Sequence, residues 1–191
     1  MRNRRQGREL ALQVIFQLDV AGGDPAEAFE LAVRLAAEDP EEGAGPPPTD
    51  EAREFARKLL DGTLGHLAEI DAKLRSYARE WPLERMANVD RNILRLALYE
   101  MLYVEDVPLS VSINEAVELA KLYSTPDSGR FINGILGKIA LDMQPAGAVA
   151  SNETRERSEP GAEPNGTPEP GAAPREGAAP AVRKGGTGQD E

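Results

Sequence analysis

The chain has 191 residues, contains no cysteine and carries a formal net charge of −11. Its length suffices for one folded domain and an additional segment, and the lack of cysteine excludes disulfides and thiolate metal sites. The negative charge argues against broad electrostatic attachment to nucleic acid or to an anionic membrane, so nucleic-acid contact requires a local basic patch.

The first stretch of the chain is such a patch. Arg2, Arg4, Arg5 and Arg8 all precede the first acidic residue, Glu9. The stretch leads directly into an amphipathic helix that ends at a pair of glycines. Clustered arginines at the entry of a helix can hold phosphates through their forked donors, and a solvated, frayed terminus is the alternative interpretation.

The next elements are also helical. Asp24 fits an N-cap and Pro25 fits the first position of a short second helix. Residues 38–50 contain three consecutive prolines and are predicted to form a loop. Residues 50–80 then show a helical repeat over their whole length, with two glycines that make a kink plausible near the middle.

Residues 88–104 are apolar on almost every side, which is typical of a helix buried at the centre of a bundle. Asn88 is predicted to cap this helix. Arg95 lies in the same apolar setting and therefore needs a carboxylate, a carbonyl or a ligand phosphate as its partner. The sequence leaves open whether Arg95 forms an ion pair with a neighbouring helix or binds a ligand.

Residues 110–140 predict two helices joined by a short turn. Ser112 and Glu115 have the spacing of a capping box at the start of the first helix. Asp127 is predicted to cap the second helix. Because glycine lowers helix propensity, the two glycines inside the second helix predict close contact with a neighbouring helix.

Residues 145–191 contain almost no large apolar side chain and are predicted to form a disordered tail. The 8 acidic and 5 basic residues of this segment leave a net charge of −8 on residues 1–144, so the folded part is acidic in its own right. No apolar run approaches the roughly 20 residues that span a bilayer. We expect a cytoplasmic protein without membrane contact.

No catalytic motif is present. Phosphate-binding loops, nucleophile elbows and paired metal-binding histidines are all lacking, and His66 is the single histidine. The sequence therefore predicts an all-α domain of about seven helices that is not an enzyme and requires neither a metal nor another cofactor.

Three strings carry a family resemblance. ILRLALYEMLY, followed by DVPLSVSINEAVELAKLYSTPDSGRFINGILGKIA, closely resembles the NusB family of transcription antitermination factors. RRQGRELALQVIFQLD is similar to the basic helix entry of that family, and the resemblance covers roughly residues 4–143. It implies two packed antiparallel helical bundles, with a NusB-like RNA-binding domain at residues 1–144 followed by the tail at residues 145–191.

The resemblance also implies a function. Proteins similar to NusB bind the boxA element of nascent, single-stranded RNA as a heterodimer with the ribosomal protein NusE. The heterodimer joins RNA polymerase with NusA and NusG and promotes reading through terminators, notably in ribosomal RNA operons. Some members form homodimers, so a homodimer of this chain is possible.

The resemblance assigns RNA contacts to nine residues and the NusE contact to one acidic residue. The NusE contact is Asp90, expected to be a surface carboxylate that pairs with a basic protein. Asp127 can accept hydrogen bonds from base amino or imino groups, a role compatible with capping. The implied RNA contacts are Arg4, Arg5, Arg8, Phe16, Tyr77, Arg95, Asp127, Arg130 and Phe131.

Two other functions compete with this interpretation. A NusB-like domain also precedes ribosomal RNA cytosine methyltransferases, but these enzymes need a long catalytic part with cysteines, and this chain has none. The second is a protein-binding helical adaptor whose arginines serve only solubility.

Overall fold

The computed structural model describes residues 2–38, 46–78 and 81–144. Within these ranges the chain forms seven α-helices, one short 3-10 turn and no strand, which confirms the predicted all-α fold. The predicted tail, residues 145–191, lies outside the described residues. The helices are α1 (Arg2–Ala21), α2 (Pro25–Glu38), α3 (Asp50–Gly65), α4 (Leu67–Tyr77), α5 (Asn88–Tyr103), α6 (Leu109–Tyr123) and α7 (Ser128–Met143).

Helix α5 is the centre of the fold. It packs against α1, α3, α4, α6 and α7, and most of its side chains are buried, as its apolar sequence predicts. Helices α1, α2 and α3 pack on one another, and α4 to α7 form a second group, consistent with two packed bundles. Because α5 contacts members of both groups, the two bundles share one hydrophobic core.

Several helix ends follow the predicted signals. Gly22 and Gly23, which follow α1, have positive φ angles of 69° and 116° that glycine adopts readily. Asp24 Oδ1 accepts hydrogen bonds from the backbone amides of the next helix, and Pro25 is its first residue. Thr49 caps α3 by accepting a hydrogen bond from the amide of Ala52.

Two predicted caps are wrong, and a third, Asp127, is confirmed in its position only. Helix α6 begins at Leu109, directly after Pro108, so Ser112 lies inside the helix and is buried instead of capping it. Asn88 is already the first residue of α5, and its amide oxygen accepts a hydrogen bond from Arg91. Asp127 occupies the N-cap position of α7, but its side chain makes no capping hydrogen bond.

The predicted helix over residues 50–80 is two helices that separate at His66. The Nδ1 atom of His66 lies 2.9 Å from the carbonyl oxygen of Gly62, and its ring packs at a tilt of 36° against Tyr103 with centroids 4.2 Å apart. A Cβ at Gly62 would overlap the ring of Tyr99 in α5. The missing side chain therefore lets α3 approach α5 at the break.

The glycines of α7 have a different environment from the one predicted. A Cβ built on Gly134 or Gly137 meets nothing within 4 Å, so the expected close helix contact is absent there. Close contact occurs instead at Gly7 of α1, where a Cβ would lie 2.8 Å from the carbonyl oxygen of Ala52 in α3. Gly7 thus permits the close packing of α1 on α3.

These environments predict opposite effects of two glycine-to-alanine substitutions. Gly62→Ala should lower the free energy of unfolding by about 1–3 kcal/mol because the Tyr99 ring must move. Gly137→Ala should raise it by up to about 1 kcal/mol because alanine favours the helix. Urea denaturation of both variants tests this, and equal effects at the two positions would contradict the packing described for α3 and α5.

Candidate nucleic-acid interface

The basic residues near the N-terminus lie inside α1, whose first turn contains no acidic residue. Arg4 is exposed, and its guanidinium carbon lies 5.2 Å from the ring centroid of Phe55 in α3. One guanidinium nitrogen of Arg4 donates to Asp106, which follows α5, and this hydrogen bond lowers the pKa of the Asp106 carboxyl. Arg4 is therefore oriented by an aromatic ring and by a carboxylate on two different elements.

Arg5 is half-exposed and points toward α6. Its guanidinium group lies 3.6 Å from a carboxylate oxygen of Glu9 and 3.7 Å from one of Glu118. Burial raises the pKa of Glu9, although the charge of Arg5 opposes the increase. Both separations exceed a normal hydrogen bond, so Arg5 retains donors for another anion.

Arg8 differs from its two neighbours because it is buried, with only 4% of its surface exposed. Its Nε and Nη2 atoms contact the carboxylate of Glu100 in α5 at 3.0 and 2.8 Å. Glu115 lies 3.6 Å away on another side. Unlike Arg4 and Arg5, Arg8 does not offer its guanidinium donors to solvent, because they are occupied by Glu100. Contact between Arg8 and RNA stays a prediction.

Phe16 is 39% exposed on α1. Arg5 and Phe16 are eleven residues apart, which is about three helical turns, so they lie on the same side of α1. An exposed aromatic ring in line with an arginine is compatible with stacking of an unpaired base, as predicted.

Arg95 binds two carboxylates of its own chain. Its Nε and Nη2 atoms each lie 2.8 Å from an oxygen of Asp71 in α4, and Nη1 lies 3.0 Å from Asp19 in α1. Although burial alone would lower the pKa of Arg95, the bonds to both carboxylates raise it. Of the two partners left open by the sequence, the structure shows the ion pair, and an RNA contact of Arg95 stays a prediction.

The start of α7 contains three of the predicted RNA contacts. Asp127 and Arg130 are exposed, and Phe131 is partly buried against the core. Arg130 forms no ion pair with any described residue, so its donors are available to an external anion. Tyr77 lies elsewhere, at the end of α4, where its hydroxyl donates to Asp142 at 2.6 Å and its pKa is raised by that bond.

Asp90 is not the surface acid that was expected. Only 9% of its surface is exposed, and one carboxylate oxygen accepts a hydrogen bond from Ser128 Oγ at 2.9 Å. The other carboxylate oxygen has no hydrogen-bond partner among the described residues. Ser128 also joins Ser124 and Thr125, so the first turn of α5 is tied to the connection between α6 and α7.

These contacts bring some predicted residues together. Arg5 reaches Glu118 of α6, and Ser124, about 9 Å further along that helix, contacts the start of α7. We call Arg4, Arg5 and Arg130 the arginine rim. Two predicted residues lie further away. Arg95 contacts Asp19, which is about 21 Å from Arg5 along α1. Tyr77 contacts Asp142, at the opposite end of α7 from Arg130.

Sequence reasoning missed three residues that shape this surface. Phe55, Glu100 and Asp106 orient Arg4 and Arg8, but each is distant from them in sequence. A glutamate within the otherwise apolar stretch of α5 was the available signal, because a buried carboxylate requires a cationic partner.

The described ranges contain no group of three or more acidic or histidine side chains that could hold a metal ion. None of their helices is long and apolar enough to cross a membrane.

These features define a class of protein: an all-α, two-bundle protein whose first helix begins with several arginines that pair with carboxylates of the same chain. The sequence pattern of the NusB family matches residues 5–141, and the chain belongs to this family of transcription antitermination proteins, which are not enzymes.

Similar proteins cover nearly all of the described chain. The transcription antitermination protein NusB of Desulforamulus reducens is 54% identical over 78% of this chain and 97% of its own. NusB of Pelotomaculum thermopropionicum is also 54% identical, over 72% and 88% of the two chains.

Solved structures agree. Thermotoga NusB ("T. maritima NusB") superposes with a TM-score of 0.63 at 36% identity, covering 74% of this chain and 93% of its own. A chain from a crystal structure of antitermination factors NusB and NusE in complex with double-stranded RNA gives a TM-score of 0.63 at 28% identity, covering 74% and 98%.

The buried network around Arg95 predicts a pH-dependent stability. Burial raises the pKa of Asp19, but hydrogen bonds from Arg91, Asn92 and Arg95 outweigh this and hold it below its usual value of 3.8. The folded state therefore favours the ionised carboxylate. The resulting stabilisation is present above about pH 4 and is lost as the pH falls through the lowered pKa.

Asp19→Asn should therefore lower the free energy of unfolding by about 1–3 kcal/mol at neutral pH, and the deficit should shrink in acid. Urea denaturation at about pH 7, 5 and 3 measures it. Asp61→Asn, which removes an exposed partner of Arg57, is the control and should cost less than about 1 kcal/mol. A deficit of Asp19→Asn that stays constant with pH would show that the charge of Asp19 is not responsible.

Proposed function

We propose that this protein is an antitermination factor that binds boxA RNA of nascent ribosomal RNA operon transcripts together with ribosomal protein NusE. The pair joins RNA polymerase, NusA and NusG in the cytoplasm. Residues 1–144 supply the binding surfaces as a NusB-like RNA-binding domain, and residues 145–191 form the tail. The observation that carries the proposal is the arginine rim: Arg4 and Arg130 are exposed and Arg5 is half-exposed, on a chain of net charge −11.

Physical chemistry supports single-stranded RNA as the ligand. Arginines hold phosphates through forked donors, while exposed aromatic rings such as Phe16 stack on unpaired bases. The start of α1 adds its free backbone amides and the positive end of the helix dipole, which favour an anion. A similar NusB was crystallised with NusE and double-stranded RNA, so binding tests should include single and double strands.

NusE is the proposed protein partner, and Asp90 is its proposed contact. The unpartnered carboxylate oxygen of Asp90 is itself buried, so a cationic side chain of a basic protein would meet Asp90 at the 9% of its surface that is exposed. A partner that adds its own RNA-binding surface also raises the RNA affinity of the pair through effective concentration.

One observation favours the adaptor as the second candidate function. Arg4 and Arg5 each already pair with carboxylates of this chain, so the rim is less positive than its sequence suggests. An adaptor would bind NusE but would show no RNA binding beyond that of NusE alone.

Arg4→Ala combined with Arg5→Ala tests the RNA proposal. The double variant should weaken boxA RNA binding by about tenfold or more. The slope of log affinity against log salt is negative, and its magnitude should decrease by about 0.7 for each lost phosphate contact. Fluorescence anisotropy with labelled boxA RNA, with and without NusE, measures both quantities.

The matched control removes two exposed arginines elsewhere, Arg34→Ala with Arg85→Ala, and should leave affinity nearly unchanged. If the two double variants bind RNA equally well, the arginine rim does not contact phosphate. If the wild-type protein adds nothing to the RNA binding of NusE, the adaptor is the better account.

Asp90→Asn tests the NusE contact. Asparagine retains an oxygen that can accept from Ser128 Oγ, so the fold should persist, while the negative charge is lost. NusE affinity, measured by calorimetry, should fall by about tenfold because a charge-assisted hydrogen bond becomes a neutral one. Unchanged affinity would remove Asp90 from the interface.

A further inference from the structure

A surface pocket lies beside the arginine rim, between the start of α1, the start of α3 and the turn that follows α5. Its volume is about 370 Å³. Two cations, three carboxylates, one amide and one aromatic ring line it: Arg4, Lys58, Glu51, Glu54, Asp106, Asn3 and Phe55. Neither the family resemblance nor the comparisons assign a role to this pocket or to Lys58.

The pocket already holds an anion, the side chain of Asp106. Arg4 donates a hydrogen bond to this carboxylate, and the charge of Lys58 also lowers its pKa, so Lys58 faces it from α3. Lys58 itself forms no ion pair with any described residue. An exposed carboxylate thus shares the pocket with two cations that come from two different helices.

The pocket is organised before any ligand binds. The guanidinium group of Arg4 stacks on Phe55, and the amide of Asn3 donates to Glu51 at 2.6 Å. Asp106 is exposed, with 57% of its side-chain surface accessible. An exposed ion pair contributes at most about 1 kcal/mol, so a better anion can displace the carboxylate at low cost.

We propose that Arg4 and Lys58 form a phosphate subsite for single-stranded RNA, and that the RNA phosphate displaces the carboxylate of Asp106 from it. The subsite rests on the proposed RNA-binding function and extends the RNA path from α1 onto α3. The remaining acids, Glu51 and Glu54, can accept hydrogen bonds from base amino groups. This contact would favour a nucleotide within RNA over inorganic phosphate, which carries no base.

Two substitutions should act in opposite directions. Lys58→Ala should weaken boxA RNA binding about two- to fivefold and lower the salt slope by about 0.7, the value for one phosphate. Asp106→Asn should strengthen binding about two- to fivefold because it removes the competing carboxylate. In the variant that combines both substitutions, the gain from Asp106→Asn should be smaller, because one of the two cations for which Asp106 competes with RNA is absent.

Matched controls separate the subsite from general electrostatics. Arg34→Ala removes an exposed cation elsewhere, and Glu84→Gln removes an exposed carboxylate that pairs with Arg75 at 3.0 Å. Both should change RNA affinity less than the pocket variants do. Inorganic phosphate at millimolar concentration should not displace the RNA beyond the effect of chloride at equal ionic strength.

The results distinguish the subsite from the function on which it rests. If the wild-type protein binds boxA RNA and loses affinity with Arg4→Ala and Arg5→Ala, while Lys58→Ala and Asp106→Asn match their controls, only the subsite is wrong. If the wild-type protein adds nothing to the RNA binding of NusE alone, the proposed function itself is wrong. An increase with Glu84→Gln equal to that with Asp106→Asn would show a net-charge effect and overturn the subsite.

Discussion

One buried and one partly buried ion pair fix α1 along α5, and the positions of Arg4 and Arg5 depend on them. Arg8 contacts Glu100 near one end of the pair of helices, and Asp19 contacts Arg95 near the other. The order of these partners makes the two helices antiparallel. Because a buried charge without its partner costs several kcal/mol, sliding or rotating α1 would break both contacts together.

This anchoring gives neighbouring arginines different roles. Arg8 is used within the fold, whereas Arg4 and Arg5 remain near the surface with carboxylates that they can exchange for phosphates. A rim whose cations are partly neutralised by its own chain binds weakly to arbitrary polyanions. For the proposed RNA binding, affinity would therefore depend on a partner protein and on bases that stack, and not on charge alone.

The helices could be predicted from sequence because periodicity and the distribution of apolar residues are local properties. The apolar stretch over residues 88–104 predicted the buried central helix, and Asp24 with Pro25 predicted the start of α2. The two glycines near the middle of residues 50–80 made a kink plausible, but the complete break at His66 was not predicted because it depends on packing of the Tyr99 and Tyr103 rings from α5. The capping box at Ser112 failed because the chain enters the helix earlier, directly after Pro108.

The environment of single charged residues was harder to predict than the helices. The sequence does not show that Arg8 meets Glu100, since 92 residues separate them, or that Asp90 is covered by the start of α7, 38 residues further on. Both depend on how helices pack, which local patterns do not encode. By contrast, the requirement of Arg95 for a partner was clear from its apolar setting, and the two carboxylates that supply it came from different helices.

The most direct test of the anchoring is a double-mutant cycle on Arg8 and Glu100, measured as free energies of unfolding in urea. We predict that Arg8→Met and Glu100→Met each cost about 3–5 kcal/mol, because each leaves a buried charge unpaired. Combining them should restore most of the loss, because two apolar side chains then replace the pair. A double variant as unstable as the sum of the single variants would contradict a direct ion pair between α1 and α5.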